Sequence, residues 1–257
     1  MNHEELLSSL KQLHLQGVAT QYVELAKIAE KKQITYEQYL ASCIGAELSN
    51  KHQQRVARLL KESKLDREKN VDQYDFSIRS GVSLKEIKRL AEGEFIKEAC
   101  NVVFYGDIGV GKSHLAYSLV RELCGKGIKC YFTTTHQLID DLVVAKSSLT
   151  LAKLLRKLDR FDLIVCDELG YVVQGKEGGE LFFQFISQRY ERKSVMFTTN
   201  LTFSEWDKVF GSPITTAAAV DRIIHKCETF NILGPSKRGE DAKKRIDLKQ
   251  TGPMIQI

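Results

Sequence analysis

Apolar residues recur three and four positions apart over about the first 97 residues, which is the period of an amphipathic helix. Thr35 with Gln38, and Ser83 with Glu86, have the spacing of the capping box that starts a helix. The pattern predicts a helix over residues 6–13, a second entered from Thr20, a third beginning after Thr35 and carrying Tyr39, Leu40, Cys43, Ile44 and Leu48 inward, and a fourth from Ser83 to near Lys97. Residues 71–81 are predicted to form a connector.

The period changes after residue 100, where short apolar runs alternate with amphipathic helices. These runs, which predict strands, are residues 101–105, 129–133, 163–167, 194–199 and 229–233. Strands that alternate with helices indicate an α/β domain with a mainly parallel sheet and helices on both faces. Such a sheet binds its ligand beyond the carboxyl ends of its strands. We therefore predict a helical domain over 1–70, a connector and helix over 71–98, and an α/β domain over 99–257.

Composition narrows the class of protein. With 43% hydrophobic residues and 3 prolines among 257 residues, the chain is in the globular range. No apolar run approaches the ~20 residues of a membrane span, and the first residues lack the pattern of a signal peptide. Six scattered cysteines without a C-x-x-C pair suggest reduced thiols and no zinc site. We expect a cytoplasmic protein without a membrane partner.

The net charge of +5 is concentrated in three clusters. Residues 51–69 carry seven basic and three acidic side chains, residues 146–160 carry five and one, and residues 236–249 carry six and three. In the first cluster, Lys51, Arg55 and Arg58 recur three or four positions apart, which places them near one face of a helix. Such clusters suit an anionic partner, although a solvated helix face has the same composition.

A glycine-rich motif directly follows the first predicted strand. Its spacing is G-x-x-x-x-G-K-S, and its residues are Gly106, Asp107, Ile108, Gly109, Val110, Gly111, Lys112 and Ser113. A strand, this turn and a following helix direct backbone N–H groups and the positive helix end at the phosphates of a nucleotide. We expect Lys112 to reach the β and γ phosphates of ATP, Ser113 to bind Mg²⁺, and His114 to belong to the same binding set.

Polar residues end two further predicted strands. Asp167 and Glu168 follow the run 163–166, where Asp167 would hold Mg²⁺ and Glu168 would act as the general base for an attacking water. A base within the protein favours hydrolysis over a kinase, in which an acceptor substrate supplies the nucleophile. Asn200 ends the next run and could hold the water or the γ phosphate, whereas an asparagine at a strand end is commonly only a turn former.

Three sequence blocks make the chain similar to one family. Residues 161–171 (FDLIVCDELGY), 188–192 (QRYER) and 199–206 (TNLTFSEW) resemble the ATPase subunit of IS21-type transposons, the IstB family. The resemblance covers nearly the whole chain. Helicase loaders of the DnaC type share the phosphate loop, the Asp-Glu pair and the Asp221-Arg222 segment, but the block FSEW at 203–206 favours the transposon protein.

The resemblance implies a P-loop AAA+ ATPase, a three-layer α/β domain with a central parallel sheet behind a small all-helical domain. It implies that residues 106–113 are Walker A, Asp167 and Glu168 Walker B, Asn200 sensor 1, Arg222 an arginine finger for the neighbouring subunit, and Arg238 the sensor 2 arginine. The chain departs from the family's pattern where Asp107-Ile108 replaces Pro-Pro and where Lys237 replaces a frequent aromatic residue.

The resemblance also implies partners. They are duplex DNA held mainly through its backbone, further copies of the chain with ATP sites at subunit interfaces, and a DDE transposase of the IstA type that the protein assists in target selection and strand transfer. DNA would stimulate ATP hydrolysis. Lys153, Arg156 and Lys157 lie in a helical excursion that would touch DNA phosphates, and Lys51, Arg55 and Arg58 would hold DNA or a sister subunit within an oligomerisation and clamping domain. A helicase loader is the alternative function.

Overall fold

The structure, a computed structural model, describes residues 2–65, 69–171, 175–237 and 239. The chain divides into two compact units, residues 1–58 and 59–257, so the division lies inside the third helix. The first three helices are α1 (His3–Gln12), α2 (Gln16–Lys32) and α3 (Tyr36–Glu62). None of the helices in the described part of the chain is long and apolar enough to span a bilayer.

Local signals explain where the first helices begin. Asn2 and Glu5 form a capping box at the start of α1. Thr35 and Gln38 form the predicted box before α3, with Gln38 N–H donating to Thr35 Oγ1 at 3.2 Å and Thr35 N–H to Gln38 Oε1 at 3.0 Å. The helix α2 begins at Gln16, four residues before the predicted entry at Thr20, although its N-cap residue makes no side-chain cap.

Glu47 of α3 supplies the missing cap. Its Oε2 accepts the N–H groups of Gly17 at 2.7 Å and Val18 at 3.2 Å, which are among the unpaired donors at the start of α2. A Cβ at Gly17 would lie 2.6 Å from the Ala46 carbonyl oxygen, so glycine permits this close approach. Glu47 is only 4% exposed. A buried carboxylate is therefore a structural part of the N-terminal unit.

The side chains that α3 buries differ from the predicted ones. Cys43 is buried as predicted, but Leu40, Ile44 and Leu48 are 61%, 48% and 64% exposed. The prediction for these three leucine and isoleucine positions was wrong because it ranked side chains by hydrophobicity alone. The amide groups of α2 require an acceptor, and the face of α3 that carries Glu47 provides it.

Glu47→Ala should lower the free energy of unfolding by about 1–3 kcal/mol, because two helix-start donors lose their buried acceptor. Urea unfolding of the full chain, followed by far-UV circular dichroism, measures the change. Glu30→Ala removes an exposed carboxylate from α2 and serves as the matched control. Equal destabilisation by the two variants would contradict the capping role.

Two short helices, α4 (Leu84–Ala91) and α5 (Glu94–Lys97), precede the sheet where one helix was predicted. The predicted capping box of Ser83 and Glu86 is present. Gly93 interrupts the helix because its φ of 81° is left-handed, a conformation that glycine adopts without steric cost. The single predicted helix is therefore corrected to a pair.

Five strands follow, close to the predicted runs: β1 (Asn101–Gly106), β2 (Cys130–Thr134), β3 (Leu163–Leu169), β4 (Ser194–Thr199) and β5 (Cys227–Ile232). The helices between and around them are α6 (Lys112–Gly125), α7 (Thr135–Ser147), α8 (Leu151–Leu158), α9 (Lys176–Arg189), α10 (Asp207–Phe210) and α11 (Pro213–His225). All strand pairs are parallel, in the order β2-β3-β4-β1-β5. The predicted parallel sheet is confirmed.

The sheet separates two apolar clusters. Val102 and Phe104 of β1 pack in the cluster that contains α4 and α6, whereas Val103 packs in the cluster that contains α7, α9 and α11. This alternation buries β1 on both faces, as expected for a central parallel strand. The result is the predicted three-layer arrangement, which fixes the loop after β1 beside the ends of its neighbours.

Residues that precede the sheet also bond to its outer strands. Phe132 N–H of β2 donates to Ser63 O at 2.8 Å. Beyond β5, Leu233 forms an antiparallel bridge with Ser80. Ser80 N lies 2.9 Å from Leu233 O, and Leu233 N lies 3.1 Å from Ser80 O. The connector is thereby fixed next to the segment that follows β5.

Arg189, in one of the family-like blocks, has a structural role at the end of α9. It is 2% exposed and donates to the carbonyl oxygens of Leu158, Phe161, Asp162 and Ser194 at 3.0–3.2 Å. Burial lowers the pKa of its guanidinium to about 10. These bonds join the end of α8 to the starts of β3 and β4.

Candidate nucleotide-binding site

A cavity of about 440 Å³ lies at the carboxyl ends of the central strands. Segments far apart in sequence line it: the phosphate loop and start of α6, the ends of β3 and β4, the connector, and the segment after β5. Its lining includes Tyr74, Asp75, Arg79, Gly109, Gly111, Lys112, Ser113, His114, Tyr117, Glu168, Thr198, Thr199 and Lys237. This is the edge at which an open α/β sheet binds ligands.

Two glycines of the loop permit contacts that a side chain would block. Gly109 and Gly111 have φ values of 87° and 99°. A Cβ at Gly109 would lie 2.1 Å from Ser236 Oγ, and one at Gly111 would lie 2.6 Å from the ring of Tyr74. The Lys112 ammonium lies across the loop and donates to the carbonyl oxygens of Gly106 at 2.8 Å and Asp107 at 2.7 Å. The backbone thus has the cradle form that a phosphate group requires.

The side chains of Asp107 and Ile108 are exposed. Both lie outside the set that lines the cavity, and Val110 is buried in the core. The replacement of Pro-Pro by Asp107-Ile108 therefore changes the outer surface of the loop. A phosphate group could contact these two positions only through their backbone.

Asp167 and Ser113 bring two oxygen ligands together. Asp167, 5% exposed at the end of β3, accepts a hydrogen bond from Ser113 Oγ at 2.8 Å and another from Thr198 Oγ1. Burial raises the pKa of Asp167, and the two hydroxyl donors oppose that rise. A hydroxyl and a carboxylate in contact beside a phosphate cradle are the donor set that Mg²⁺ prefers, so these residues fit the ion.

Glu168 lines the cavity next to Asp167 in an unusual backbone conformation. Its φ is 60°, and the pairing of β3 with β4 shifts register between Cys166 and Leu169. Its N–H donates to Thr198 Oγ1 at 3.0 Å. A bulge of this kind re-aims a side chain, and here Glu168 takes a place in the cavity wall while Asp167 is buried.

The connector forms a wall that sequence reasoning did not assign to the site. Tyr74 OH donates to Val110 O of the phosphate loop at 3.1 Å, and burial raises the pKa of Tyr74 to about 12. The Arg79 guanidinium lies 5.3 Å from the centroid of the Tyr74 ring and donates to Pro235 O at 3.4 Å. The aromatic pair Tyr74 and Phe76 in a polar connector was the available signal.

His114 contacts Asn70, the residue directly before the connector. Its Nε2 lies 2.8 Å from Asn70 O, and burial lowers the pKa of the ring. His114 lines the cavity, so it belongs with the predicted binding set by position. This contact links the start of α6 to the residue that leads into the connector.

Two of the predicted residues, Asn200 and Arg222, lie away from this wall. Asn200 is exposed just after β4, outside the lining set, whereas Thr198 and Thr199 line the cavity. Arg222 of α11 is outside the set too, with its guanidinium 4.6 Å from the centroid of Phe183. Arg238 lies outside the described residues, but Lys237 lines the cavity, and its N–H donates to Gly109 O at 3.0 Å. Their assigned roles stay predictions.

The basic residues predicted to bind DNA are exposed. Lys153, Arg156 and Lys157 lie on α8, and the opposite face of α8 buries Leu155 and Leu158. In the N-terminal unit, Lys51, Arg55 and Arg58 are exposed on α3, and Lys51 Nζ lies 3.5 Å from Glu47 Oε1. The basic residues of the tail beyond Lys237 lie outside the described residues.

Known proteins resemble the chain over nearly its full length. The family model described as IstB-like ATP binding protein matches residues 8–245. The ATP-binding protein of insertion sequence IS21 from Pseudomonas aeruginosa is 33% identical over 98% of this chain and 94% of its own length. That of IS5376 from Geobacillus stearothermophilus is 33% identical over 88% of this chain and 90% of its own length.

Solved structures share the fold of the α/β unit. The DnaC helicase loader matches with a TM-score of 0.52 and 24% identity over 68% of this chain and 99% of its own. AMPPCP-bound DnaA from Aquifex aeolicus matches with a TM-score of 0.55 and 17% identity over 75% of this chain and 58% of its own. Both support the AAA+ fold. With its phosphate loop and the family match across residues 8–245, the chain belongs to the IstB family of ATP-binding proteins of IS21-type insertion sequences.

Proposed function

We propose that this protein is a DNA-stimulated ATPase that assembles on duplex DNA and assists a DDE transposase in target selection and strand transfer. The observation that carries the proposal is a set of hydrogen bonds beside the phosphate loop. Asp167 accepts from Ser113 and Thr198, and Thr198 accepts the N–H of Glu168. The chain that carries this arrangement belongs to an insertion-sequence ATP-binding family. A cytoplasmic location on bacterial DNA goes with this function.

Different residues of the site bind the phosphates, bind Mg²⁺ and accept a proton in the proposed hydrolysis. The loop amides and Lys112 bind the β and γ phosphates, which requires Lys112 to leave the carbonyl oxygens of Gly106 and Asp107. Ser113 and Asp167 would hold Mg²⁺, which would neutralise phosphate charge when bound. Glu168 accepts a proton from the attacking water, whose oxygen bonds to the γ phosphorus. The bond from that phosphorus to the β–γ bridging oxygen breaks, and the products are ADP and inorganic phosphate.

Residues outside the cavity suit a role between subunits. Arg222 lies away from the nucleotide site of its own chain, which supports its action as an arginine finger on the nucleotide of a neighbouring subunit. ATP sites would then lie at the interfaces of a homo-oligomer. Asn200 as sensor 1 and Arg238 as the sensor 2 arginine complete the proposed set.

Exposed cations on α8 support contact with the DNA backbone. Lys153, Arg156 and Lys157 project from one exposed face in the helical excursion between β2 and β3. Such contacts position DNA with little dependence on base sequence. Lys51, Arg55 and Arg58 offer a second basic face, for DNA or for a sister subunit, on α3 of the proposed clamping domain.

Replacing Lys153, Arg156 and Lys157 together with glutamine should weaken DNA binding and DNA stimulation, while ATP hydrolysis without DNA is retained. Each lost phosphate contact should reduce the slope of log binding constant against log salt by about 0.9 per subunit. Fluorescence anisotropy on duplex DNA across a salt series measures this slope. The control replaces Lys85, Lys88 and Lys97, exposed cations elsewhere in the same unit, with glutamine. Equal slopes for the two triple variants would overturn the assignment of α8.

A helicase loader remains the competing function, because the DnaC loader shares the fold. Capture on the full-length chain separates the two functions, with the transposase of the same insertion sequence and a replicative helicase offered at equal concentrations. Retention of the transposase alone is the expected result. Retention of the helicase alone would overturn the transposition function while leaving the ATPase chemistry in place.

A further inference from the structure

One hydroxyl group of β4 contacts both acidic residues of the candidate site. Thr198 is 1% exposed. Its Oγ1 donates to Asp167 Oδ1 and accepts the backbone N–H of Glu168 at 3.0 Å. A hydroxyl has one proton to donate and lone pairs to accept, so a single Thr198 side chain satisfies both contacts.

Glu168 depends on that contact because the strand pairing fails at its position. The β3–β4 register runs from Cys166 opposite Phe197 to Leu169 opposite Thr199, which leaves Glu168 in the bulge. Its positive φ of 60° costs free energy in a residue with a Cβ, and such conformations persist where surrounding contacts fix them. The Thr198 hydroxyl takes the N–H that the β4 backbone would bind in a regular ladder.

The next threonine secures the other side of the bulge. Thr199 Oγ1 donates to Leu169 O at 2.8 Å and accepts Leu201 N–H at 3.0 Å. The backbone on both sides of Glu168 is thus held by adjacent hydroxyl groups of β4. Asn200, the polar residue predicted to act from this strand end, is exposed.

We propose that Thr198 is the positioning residue of the general base: its hydroxyl fixes the Glu168 backbone and thereby directs the Glu168 carboxylate into the nucleotide cavity. The inference rests on the proposed ATPase function, which it deepens. Thr198 acts through the Glu168 backbone, so its loss should slow hydrolysis and leave the phosphate cradle of residues 106–113 intact.

Thr198→Val keeps the shape of the side chain and removes the hydroxyl. We expect kcat for ATP to fall about 10–100-fold, a loss of the size found when a residue that orients a metal ligand is replaced, with KM little changed. Thr198→Ser restores the hydroxyl and should recover most of the rate. Thr216→Val is the matched control, since it removes a buried threonine hydroxyl that donates to the carbonyl oxygen of Ser212, the N-cap residue of α11, at 2.8 Å. A valine variant that turns over at the wild-type rate, or a serine variant as slow as valine, would overturn the proposal.

Amide hydrogen exchange gives a readout independent of turnover. The Glu168 amide should exchange faster in Thr198→Val than in the wild type, Thr198→Ser or Thr216→Val, while the Val165 amide within β3 keeps its protection. Unchanged exchange at Glu168 would overturn the proposal even if activity falls through a loss of stability. If the wild-type chain hydrolyses no ATP with Mg²⁺ and DNA, the proposed function fails, and the exchange experiment still decides whether Thr198 holds Glu168.

A double variant completes the test. When Glu168 is already glutamine, Thr198→Val should cause no further loss of kcat, because the residue that it positions no longer accepts a proton. If the kcat losses of the two single variants multiply in the double variant, Thr198 acts separately from Glu168, which would overturn the proposed route.

Discussion

Glu168→Gln should bind ATP as tightly as the wild-type chain and hydrolyse it about 10²–10⁴-fold more slowly, the usual contribution of a general base. Glutamine has nearly the same size, and its backbone N–H still donates to Thr198 Oγ1. Its amide cannot accept the proton of the attacking water. Assemblies formed on DNA with ATP should therefore persist, which single-turnover hydrolysis and sedimentation of DNA-bound protein measure on the same sample.

Lys112→Ala is the control that separates binding from turnover. It removes the ammonium group at the phosphate loop and should weaken nucleotide affinity itself, so neither hydrolysis nor ATP-dependent assembly should follow. Wild-type turnover by Glu168→Gln would eliminate Glu168 as the base. Loss of ATP binding in Glu168→Gln would instead make it a binding residue.

Arg222→Ala should reduce hydrolysis by about 10³–10⁵-fold, the range for an arginine finger, and leave ATP binding to the single chain unchanged. The reason is its position: Arg222 lies outside the cavity of its own chain, against the ring of Phe183. Loss of that ring contact should cost only about 0.5–1 kcal/mol of stability. Nucleotide binding, thermal unfolding and DNA-stimulated turnover, measured together, distinguish a catalytic loss from a folding defect.

Mixing variants tests whether Arg222 acts on a neighbour. In assemblies of Arg222→Ala with Glu168→Gln subunits, some interfaces combine an intact Glu168 with an intact Arg222, so activity should return in part. The matched control mixes Lys112→Ala with Glu168→Gln, where every nucleotide site carries a defect and no interface is complete. Absence of rescue in the mixture of Arg222→Ala with Glu168→Gln would argue against a finger acting between subunits, provided that this mixture assembles on DNA.

The strands and the phosphate loop could be predicted because their signals are local. The β4 run matched its observed bounds of Ser194–Thr199, and the loop motif requires a strand before it and a helix after it, both of which are present. The break at Gly93 was also local, but a glycine within a helical pattern can be tolerated, so the sequence favoured one helix over two.

Contacts between distant segments could not be predicted from the same patterns. Thr198 is 30 residues from Glu168, and Tyr74 is 36 residues from Val110. Their positions depend on strand register and on the course of the connector, which hydrophobic periodicity does not determine. Glu47 shows the same limit in the N-terminal unit, since a charged residue is predicted to be exposed unless its distant partners are known.

The bonds from Ser63 and Ser80 have a consequence for solubility. The outer strands of a sheet expose unpaired N–H and C=O groups that can recruit strands from other chains. Ser63 O accepts the Phe132 N–H on the free edge of β2. Ser80 pairs with Leu233, directly after the opposite edge strand β5. Ser63 and Ser80, which make these bonds, both precede residue 99, the predicted start of the α/β domain. A fragment cut at that boundary would expose both edges to aggregation, whereas one beginning at Leu59 keeps them protected.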